Sequence, residues 1–207
     1  MMNPLPQDLH IHTTFSRDDG AVVSEQTVQL VAEIAHARIA GISDHLESIA
    51  DDFSTYAETV RSHGLLVGAE VNGADWVREA EAVDAQYYVY HCRDREGDYQ
   101  GAERLLAAGK PVIIAHPLIL ETDLRRVPPE CLIEINNRYV WRSNWETLRP
   151  FAASFSFVID SDAHQPHWLN QNVARYVAAE LGIAETLLFG DCKYVRPRTA
   201  ADTSKRL

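Results

Sequence analysis

Two histidines separated by one residue stand near the start of the chain, in the segment Asp8-Leu9-His10-Ile11-His12-Thr13. In an extended strand, alternate side chains project from the same face, so His10 and His12 present their imidazoles on one side of the backbone. Imidazole is a common ligand of zinc and other divalent transition metals. The pair indicates either a metal-binding position or two polar residues on a strand, and the rest of the chain decides between them.

Further residues that can bind metal ions recur along the chain, each at or just beyond the end of a short apolar run. They are Asp44, His45, Glu70, His91, His116, Glu134, Asp162 and His164. Short apolar runs of this kind are typical of strands that are buried on both faces of a sheet. We therefore expect the metal-binding side chains to lie at strand ends, except for the first pair, which is expected nearer the middle of its strand.

Seven such runs alternate with amphipathic stretches. After the first strand, the predicted strands span residues 39–43, 65–70, 86–91, 112–117, 131–136 and 155–159. The predicted helices run from a cap at Ser24 to Gly41 and over about 47–61, 76–83, 99–108, 143–151 and 169–181. Strands that alternate with helices predict a parallel sheet with helical crossovers. A closed barrel brings all strand ends around one mouth, so the ligand positions favour an α/β barrel over an open sheet.

Composition limits the classes of protein to consider. With 207 residues, one domain is expected, with a core at about residues 7–190 and a polar tail from Arg196. The net charge of −11 disfavours a protein that binds duplex nucleic acid through a broad basic surface. The cysteines, Cys92, Cys131 and Cys192, suggest neither a disulfide framework nor a thiolate zinc site. No secretory leader or apolar span is apparent, so we expect a cytoplasmic protein without a membrane segment.

In this order, the motifs resemble those of the PHP family, the polymerase and histidinol phosphatase domain. The resemblance extends from residue 8 to residue 164 and is carried by Asp8-Leu9-His10-Ile11-His12-Thr13 with Ser16, Ser43-Asp44-His45, Gly68-Ala69-Glu70, His91, Ala115-His116-Pro117, Glu134-Ile135-Asn136-Asn137 and Ser161-Asp162-Ala163-His164. It implies a distorted (β/α)7 barrel in a single domain. It also implies hydrolysis of a phosphate ester, here expected to be that of a small phosphorylated metabolite.

The resemblance further implies two or three divalent transition metal ions, which the ligand types limit to Zn, Mn or Fe. It places His10, His12, Glu70 and Asp162 on one ion. Glu70 would bridge to a second ion held by His91 and His116, and a third would be held by Asp18, His45 and His164. A hydroxide held by these ions would attack the phosphorus atom.

Other residues receive less direct assignments. Asp44 and Arg138 are expected to take part in catalysis. Asp44 would orient a metal ligand, as would Asp8 and Asp160, and Arg138 would bind a phosphate oxygen. Arg17 and His167 are candidates for binding substrate. Glu134 is expected to support a ligand, and His36 and His63 are expected at the surface, His36 within a helix.

Two alternatives remain open from sequence. A nuclease or amidohydrolase on a related metal barrel also begins with a His-x-His pair after its first strand. A regulatory domain could keep the barrel and its ions without turnover. The sequence does not predict the identity of the substrate or the oligomeric state. It also does not predict whether a single-stranded nucleic acid is a substrate.

Overall fold

Seven parallel strands form one sheet in which the order in space follows the order in sequence. The computed structural model describes residues 4–190, so Cys192 and the polar tail from Arg196 lie outside the described residues. The strands are β1 Leu5–Asp8, β2 Ala37–Ile42, β3 Leu66–Val71, β4 Tyr87–Tyr90, β5 Val112–Ile114, β6 Leu132–Asn136 and β7 Ser156–Asp160. Because consecutive strands pair in parallel, all their carboxyl ends meet at the same edge of the sheet.

Two buried carboxylates join the first strand to the last. The Asp8 carboxylate accepts a hydrogen bond of 3.0 Å from the backbone amide of Ser161, and that of Asp160 accepts one of 2.6 Å from the amide of Leu9. These bonds replace part of the backbone pairing that β1 and β7 lack. The sheet is thus a nearly closed barrel, and the predicted distorted (β/α)7 barrel is confirmed.

Helices cover the outside of the barrel. They are α1 Val28–Ile34, α2 Leu46–Ile49, α3 Phe53–Ser62, α4 Val77–Ala82, α5 Glu96–Ala107 and α6 Asn172–Leu181. In α6, Ala174, Val177, Ala178 and Leu181 are buried, as the spacing of its apolar residues predicts. Among residues 4–190, no helix combines the length and apolarity that a bilayer crossing requires.

A tyrosine fills the barrel interior where two neighbouring strands carry glycine. The Tyr87 hydroxyl donates a 2.7 Å hydrogen bond to the backbone oxygen of Leu9. A Cβ at Gly41 or Gly68 would lie 2.3 Å from Tyr87 atoms, so these positions exclude any larger residue. Phe189 packs on the same ring, with 5.8 Å between ring centroids, so a segment after α6 contributes to the interior.

Several predicted element boundaries are wrong. The first strand ends at Asp8, so the histidine pair lies beyond the strand rather than near its middle. The first helix starts after a Thr27 cap, not Ser24, and ends at Ile34, because Ala35 adopts a left-handed conformation with φ of 47°. The predicted helix at 143–151 is a 3₁₀ segment, Trp145–Phe151, since Pro150 lacks the amide proton that an α-helix needs.

Candidate metal centre

The metal-binding side chains predicted from sequence converge at the carboxyl-terminal mouth of the barrel, with one exception described below. Six strands supply them: His10 and His12 follow β1, His45 follows β2, Glu70 lies in β3, His91 follows β4, His116 follows β5, and Asp162 and His164 follow β7. All are buried or half-buried. The mouth is a cavity of about 280 Å³ that most of these side chains line.

Glu70 lies at the centre of the cluster. Its Oε1 atom is 2.6 Å from His91 Nε2 and 3.0 Å from His10 Nε2. Its Oε2 atom is 2.8 Å from His45 Nδ1 and 3.4 Å from His12 Nε2. One carboxylate therefore faces four imidazoles from three strand ends, an arrangement that suits a residue shared by two ions.

Three groups have ligand atoms close enough together to hold an ion. In each, the candidate atoms lie within 4.8 Å of one another. The groups are His10, His12 and Glu70; Glu70, His91 and His116; and His12, His45 and His164. Buried histidine and glutamate side chains with metal-binding geometry are thus present, as the sequence predicts.

The hydrogen bonds of the first histidine pair fit a cation. His10 Nδ1 is 2.7 Å from Glu134 Oε1, and His12 Nδ1 is 3.3 Å from Ser16 Oγ, so in both rings the proton belongs on Nδ1. The two Nε2 atoms then carry lone pairs and face each other at 3.1 Å. Two facing lone pairs repel unless a proton or a metal ion lies between them. Within the described residues, the buried Glu70 Oε2 atom makes no hydrogen bond of good geometry, although His45 Nδ1 lies 2.8 Å away.

Glu134 accepts hydrogen bonds from two candidate metal ligands, His10 and His116. Besides its bond to His10, it accepts a 2.6 Å hydrogen bond from the backbone amide of His116 through Oε2. The same atom accepts a 3.0 Å bond from Asn136 Nδ2. A carboxylate bonded to the outer nitrogen of a ligand fixes the tautomer and the ring orientation, so Glu134 has the supporting role predicted for it.

The titration of the central groups follows from their mutual contacts. Burial alone would raise the pKa of Glu70, but His91, His10 and the other imidazoles hold it well below its usual value. Burial, with His164 nearby, lowers the pKa of His12 well below its usual value. Burial also opposes the charged form of His45, yet the carboxylates of Glu70 and Asp19 raise its pKa to about 11. Glu70 and His12 are thus in the protonation states that metal binding requires, whereas His10, whose pKa despite burial is raised well above its usual value by nearby carboxylates, and His45 would each release a proton on binding an ion.

The aspartate at the third group is Asp19, not Asp18. Asp19 Oδ2 lies 2.8 Å from His164 Nε2 and 3.1 Å from His45 Nε2. Asp18 is exposed and does not line the mouth, but it borders an adjoining pocket that shares Asp19 and His45 with the mouth. The assignment of Asp18 is therefore wrong by one residue, because a turn in which the amide of Asp19 bonds to the Ser16 oxygen directs Asp19 inward.

Of the expected substrate-contacting residues, only Arg138 lies at the mouth. Its Nη1 atom is 3.0 Å from His164 Nε2 and 3.4 Å from Asp162 Oδ1. Arg17 is exposed in the turn after the first strand and is not among the residues that line the mouth. His167 is exposed too, because the 3₁₀ turn Pro166–Trp168 directs Trp168 toward His164, with 6.1 Å between ring centroids.

Asp44 is a positioning residue rather than a group at the reaction centre. It is fully buried and accepts hydrogen bonds from the Thr13 amide at 2.7 Å, the Thr13 hydroxyl at 2.6 Å and the Ser16 hydroxyl at 2.6 Å. Burial raises the pKa of Asp44 to about 6, despite the bonds from Ser16 and Thr13. Through Ser16 it contacts His12, as expected of a residue that orients a ligand, and its part in catalysis stays a prediction.

Asp8 and Asp160 do not orient ligands, since both join β1 to β7. Asp8 also accepts a 2.9 Å bond from His36 Nε2. His36 was expected at the surface within a helix, but it precedes β2 and its side chain is 7% exposed. His36 therefore has a structural role through its bond to the buried Asp8 carboxylate. A sequence pattern does not reveal this long-range pairing.

Two ligand candidates have an unusual backbone conformation. His116 has φ of 26° and Asp162 has φ of 53°, both in the left-handed region that residues other than glycine rarely adopt. Conformations of this kind cost about 1–3 kcal/mol and persist where the surroundings impose them. Such conformations are often found at active sites, and here two of them lie at strand ends of the same mouth.

Sequence reasoning missed three polar residues of the mouth. Arg93, Tyr139 and Asp19 line it together with the predicted ligands. Tyr139 packs against His116, with 5.1 Å between ring centroids. Arg93 and Tyr139 follow strand ends, so their position on loops at the mouth was the only available signal.

Comparison with known proteins supports the fold. A scan against protein-family models finds no match, and neither does a search of curated proteins. Among solved structures, the chain is similar to the crystal structure of a sugar phosphate isomerase/epimerase from Parabacteroides distasonis. The TM-score is 0.50, the identity is 13%, and the match covers 89% of this chain and 85% of the other. At this identity, the likeness shows a shared barrel.

These findings contradict the expected membership of the PHP family. No model of that family matches the chain, and the solved barrel that it resembles is described as an isomerase/epimerase. The expected phosphoesterase function and hydrolase class are corrected with it. The motifs are short and separated by long stretches, so the same ligand types at strand ends also suit another reaction on a metal-binding barrel.

Proposed function

We propose that this chain is a metal-dependent isomerase or epimerase that acts on a small sugar phosphate. The observation that carries the proposal is the convergence of imidazoles and carboxylates on Glu70 at the mouth of the barrel. Likeness to a solved sugar phosphate isomerase/epimerase supports the reaction class by analogy of fold. Such a reaction removes a proton from a carbon next to a carbonyl group. An isomerase returns a proton to the neighbouring carbon, and an epimerase returns it to the opposite face of the same carbon.

Two groups of ligands that share Glu70 would hold two ions. They are His10, His12 and Glu70, and Glu70, His91 and His116, with Asp162 Oδ1 3.8 Å from His10 Nε2. Nitrogen and oxygen ligands without a thiolate suit Zn, Mn or Fe. When bound, the ions would polarise the substrate carbonyl and stabilise the negative charge that develops as the proton leaves.

We assign proton transfer to Asp19. Its side chain is 21% exposed, whereas those of Glu70 and Asp162 are 2% exposed, so it is the most accessible of these carboxylates. Hydrogen bonds from His164 and His45 hold the pKa of Asp19 well below its usual value, so the carboxylate is ionised, and it would gain basicity only as a bound substrate weakens these bonds. A proton held at Oδ2 would be shared with the two imidazoles. Assignment of His45 and His164 to a third ion stays a competing prediction.

Arg138 would contact the substrate at the edge of the mouth. Only part of its donor capacity is used by Asp162 and His164, since the contacts to both are made through Nη1. Its remaining N–H groups can donate to a substrate oxygen. Its planar fork also fixes orientation, which a single point charge does not.

The test is solvent-exchange NMR. Protein loaded with Mn or Zn is incubated in D₂O with a panel of aldose and ketose phosphates, and deuterium at carbon is measured together with the ratio of isomers. We expect metal-dependent incorporation of deuterium and conversion of one sugar phosphate into another. Release of inorganic phosphate without any incorporation of deuterium would contradict the proposal.

Substitution of Asp19 tests the assignment of proton transfer. We expect Asp19→Asn to retain the metal content of the parent and to lower exchange by about 10²–10⁴-fold, the usual contribution of a positioned acid or base. The neighbouring exposed residue gives a matched control, Asp18→Asn, which should leave exchange unchanged. Loss of one equivalent of metal in Asp19→Asn would instead assign Asp19 to an ion.

A further inference from the structure

A second cavity opens beside the metal centre and shares two residues with it. It has a volume of about 490 Å³, and Arg138 and Tyr139 line both cavities. Its other walls include Trp141, Arg142 and Trp168. No aspartate or glutamate is among the described residues that line it. On a chain of net charge −11, a cleft with two arginines and no carboxylate is a local positive site.

Arg142 is held by aromatic rings instead of an acidic partner. Its guanidinium lies 4.5 Å from the centroid of Tyr139 and 6.0 Å from that of Trp141. Within residues 4–190 it pairs with no carboxylate, whereas Arg138 contacts Asp162. Its N–H donors are therefore free to bind an anion, and stacking on the rings orients their plane.

Trp141 provides a fixed apolar surface at the edge of the cleft. Its side chain is 64% exposed, yet its indole Nε1 donates a 2.8 Å hydrogen bond to the backbone oxygen of Arg138. An exposed tryptophan held in this way is typical of a binding surface. Trp168 lies on the side of the metal centre, with its ring 5.3 Å from the Arg138 guanidinium and 6.1 Å from His164.

We propose that this cleft binds the phosphate end of the substrate through Arg142, while Trp141 and Trp168 pack against the carbon skeleton of the sugar. The inference rests on the proposed function and specifies its substrate class. A guanidinium fork matches the geometry of phosphate oxygens. Tyr139 lines both cavities and contacts both Arg142 and His116, so a sugar phosphate anchored at Arg142 would present its opposite end to the metal centre.

The test measures binding and not turnover. Isothermal titration calorimetry of the metal-loaded protein uses ribose 5-phosphate, ribose and inorganic phosphate as probes. We expect Arg142→Ala to weaken ribose 5-phosphate binding by about 10- to 100-fold, the loss of one charged hydrogen-bonding group, and to leave ribose binding unchanged. Arg149→Ala, which removes another exposed arginine outside the cleft, is the matched control and should bind like the parent.

The outcomes separate this inference from the proposed function. Equal binding of ribose 5-phosphate by Arg142→Ala and the parent overturns the subsite even if sugar phosphates exchange deuterium. Binding that depends on Arg142 supports the subsite even if no sugar phosphate exchanges, in which case the isomerase proposal alone fails. Ribose 5-phosphate that binds no more tightly than inorganic phosphate overturns the role of the tryptophans. Because Arg142 is exposed, its truncation leaves the core intact, which circular dichroism would verify.

Discussion

Replacement of Glu134 by glutamine is the sharpest test of the metal centre, because this carboxylate is buried behind the ligands and is not one of them. Both of its oxygens accept hydrogen bonds: Oε1 from His10 Nδ1 at 2.7 Å, and Oε2 from the His116 amide at 2.6 Å and from Asn136 at 3.0 Å. A glutamine keeps the shape but has one acceptor oxygen. If the oxygen faces His10, its NH₂ group faces two other donors.

The expected losses of stability and of metal affinity follow from this change in hydrogen bonding. In the metal-free protein, a buried donor left without an acceptor costs about 1–3 kcal/mol, so Glu134→Gln should lower the free energy of unfolding by that amount. Loss of the carboxylate behind His10 should also weaken metal binding by about 10- to 100-fold, the usual effect of removing a partner of a ligating histidine.

Two measurements check the prediction. Urea denaturation of the metal-free protein gives the change in stability, and titration with Zn or Mn against a competing chelator gives the affinity. Glu146→Gln, at an exposed position, is the control and should change neither quantity. Unchanged metal affinity in a folded Glu134→Gln variant would refute the role of His10 as a ligand oriented by Glu134.

The remaining predictions concern the barrel that holds the site. Gly68→Ala places a Cβ 2.3 Å from the Tyr87 ring, so it should destabilise the protein by about 1–3 kcal/mol in urea denaturation, whereas Gly20→Ala, with no atom within 4 Å of the new Cβ, should not. Gln171→Leu removes the amide that donates to the backbone oxygens of Gln7, at 2.9 Å, and of Ile159, at 2.7 Å, and so leaves two buried acceptors unpaired between β1 and β7. We expect a loss of about 1–3 kcal/mol, and equal stability of parent and variant would show that water replaces the amide.

The fold was predictable because apolar runs and helical periodicity act over short distances in sequence. Element ends were less predictable, since they depend on contacts that a pattern does not contain. Gly41 was assigned both to the end of the first helix and to the second strand. It lies inside β2, where only a residue without a side chain leaves room for the Tyr87 hydroxyl. That contact joins residues far apart in sequence, so no local signal reports it.

The candidate site was likewise predictable from the sequence only in part. Ligand types at strand ends indicated the metal centre, because parallel strands gather their ends at one mouth. Neighbouring residues of the same chemistry could not be separated: Asp18 and Asp19 differ only in which one the turn after Ser16 directs inward. Similarly, the 3₁₀ turn Pro166–Trp168 directs Trp168, and not His167, toward His164. Reaction class was least predictable, since it depends on substrate contacts made by loops.

The first strand shows why a wrong boundary still gave a correct geometry. Although β1 ends at Asp8, the chain stays extended as far as His12, because Ile11 bridges Ala163 beyond β7 and the amide of His12 donates a 2.9 Å hydrogen bond to the Ala163 oxygen. Side chains two residues apart therefore still share one face, and the Nε2 atoms of His10 and His12 meet at 3.1 Å. The pairing that holds them comes from the segment that carries Asp162 and His164. The contact that closes the barrel thus also positions the candidate metal ligands, and a change that opens the contact between β1 and β7 should impair metal binding even where it touches no ligand.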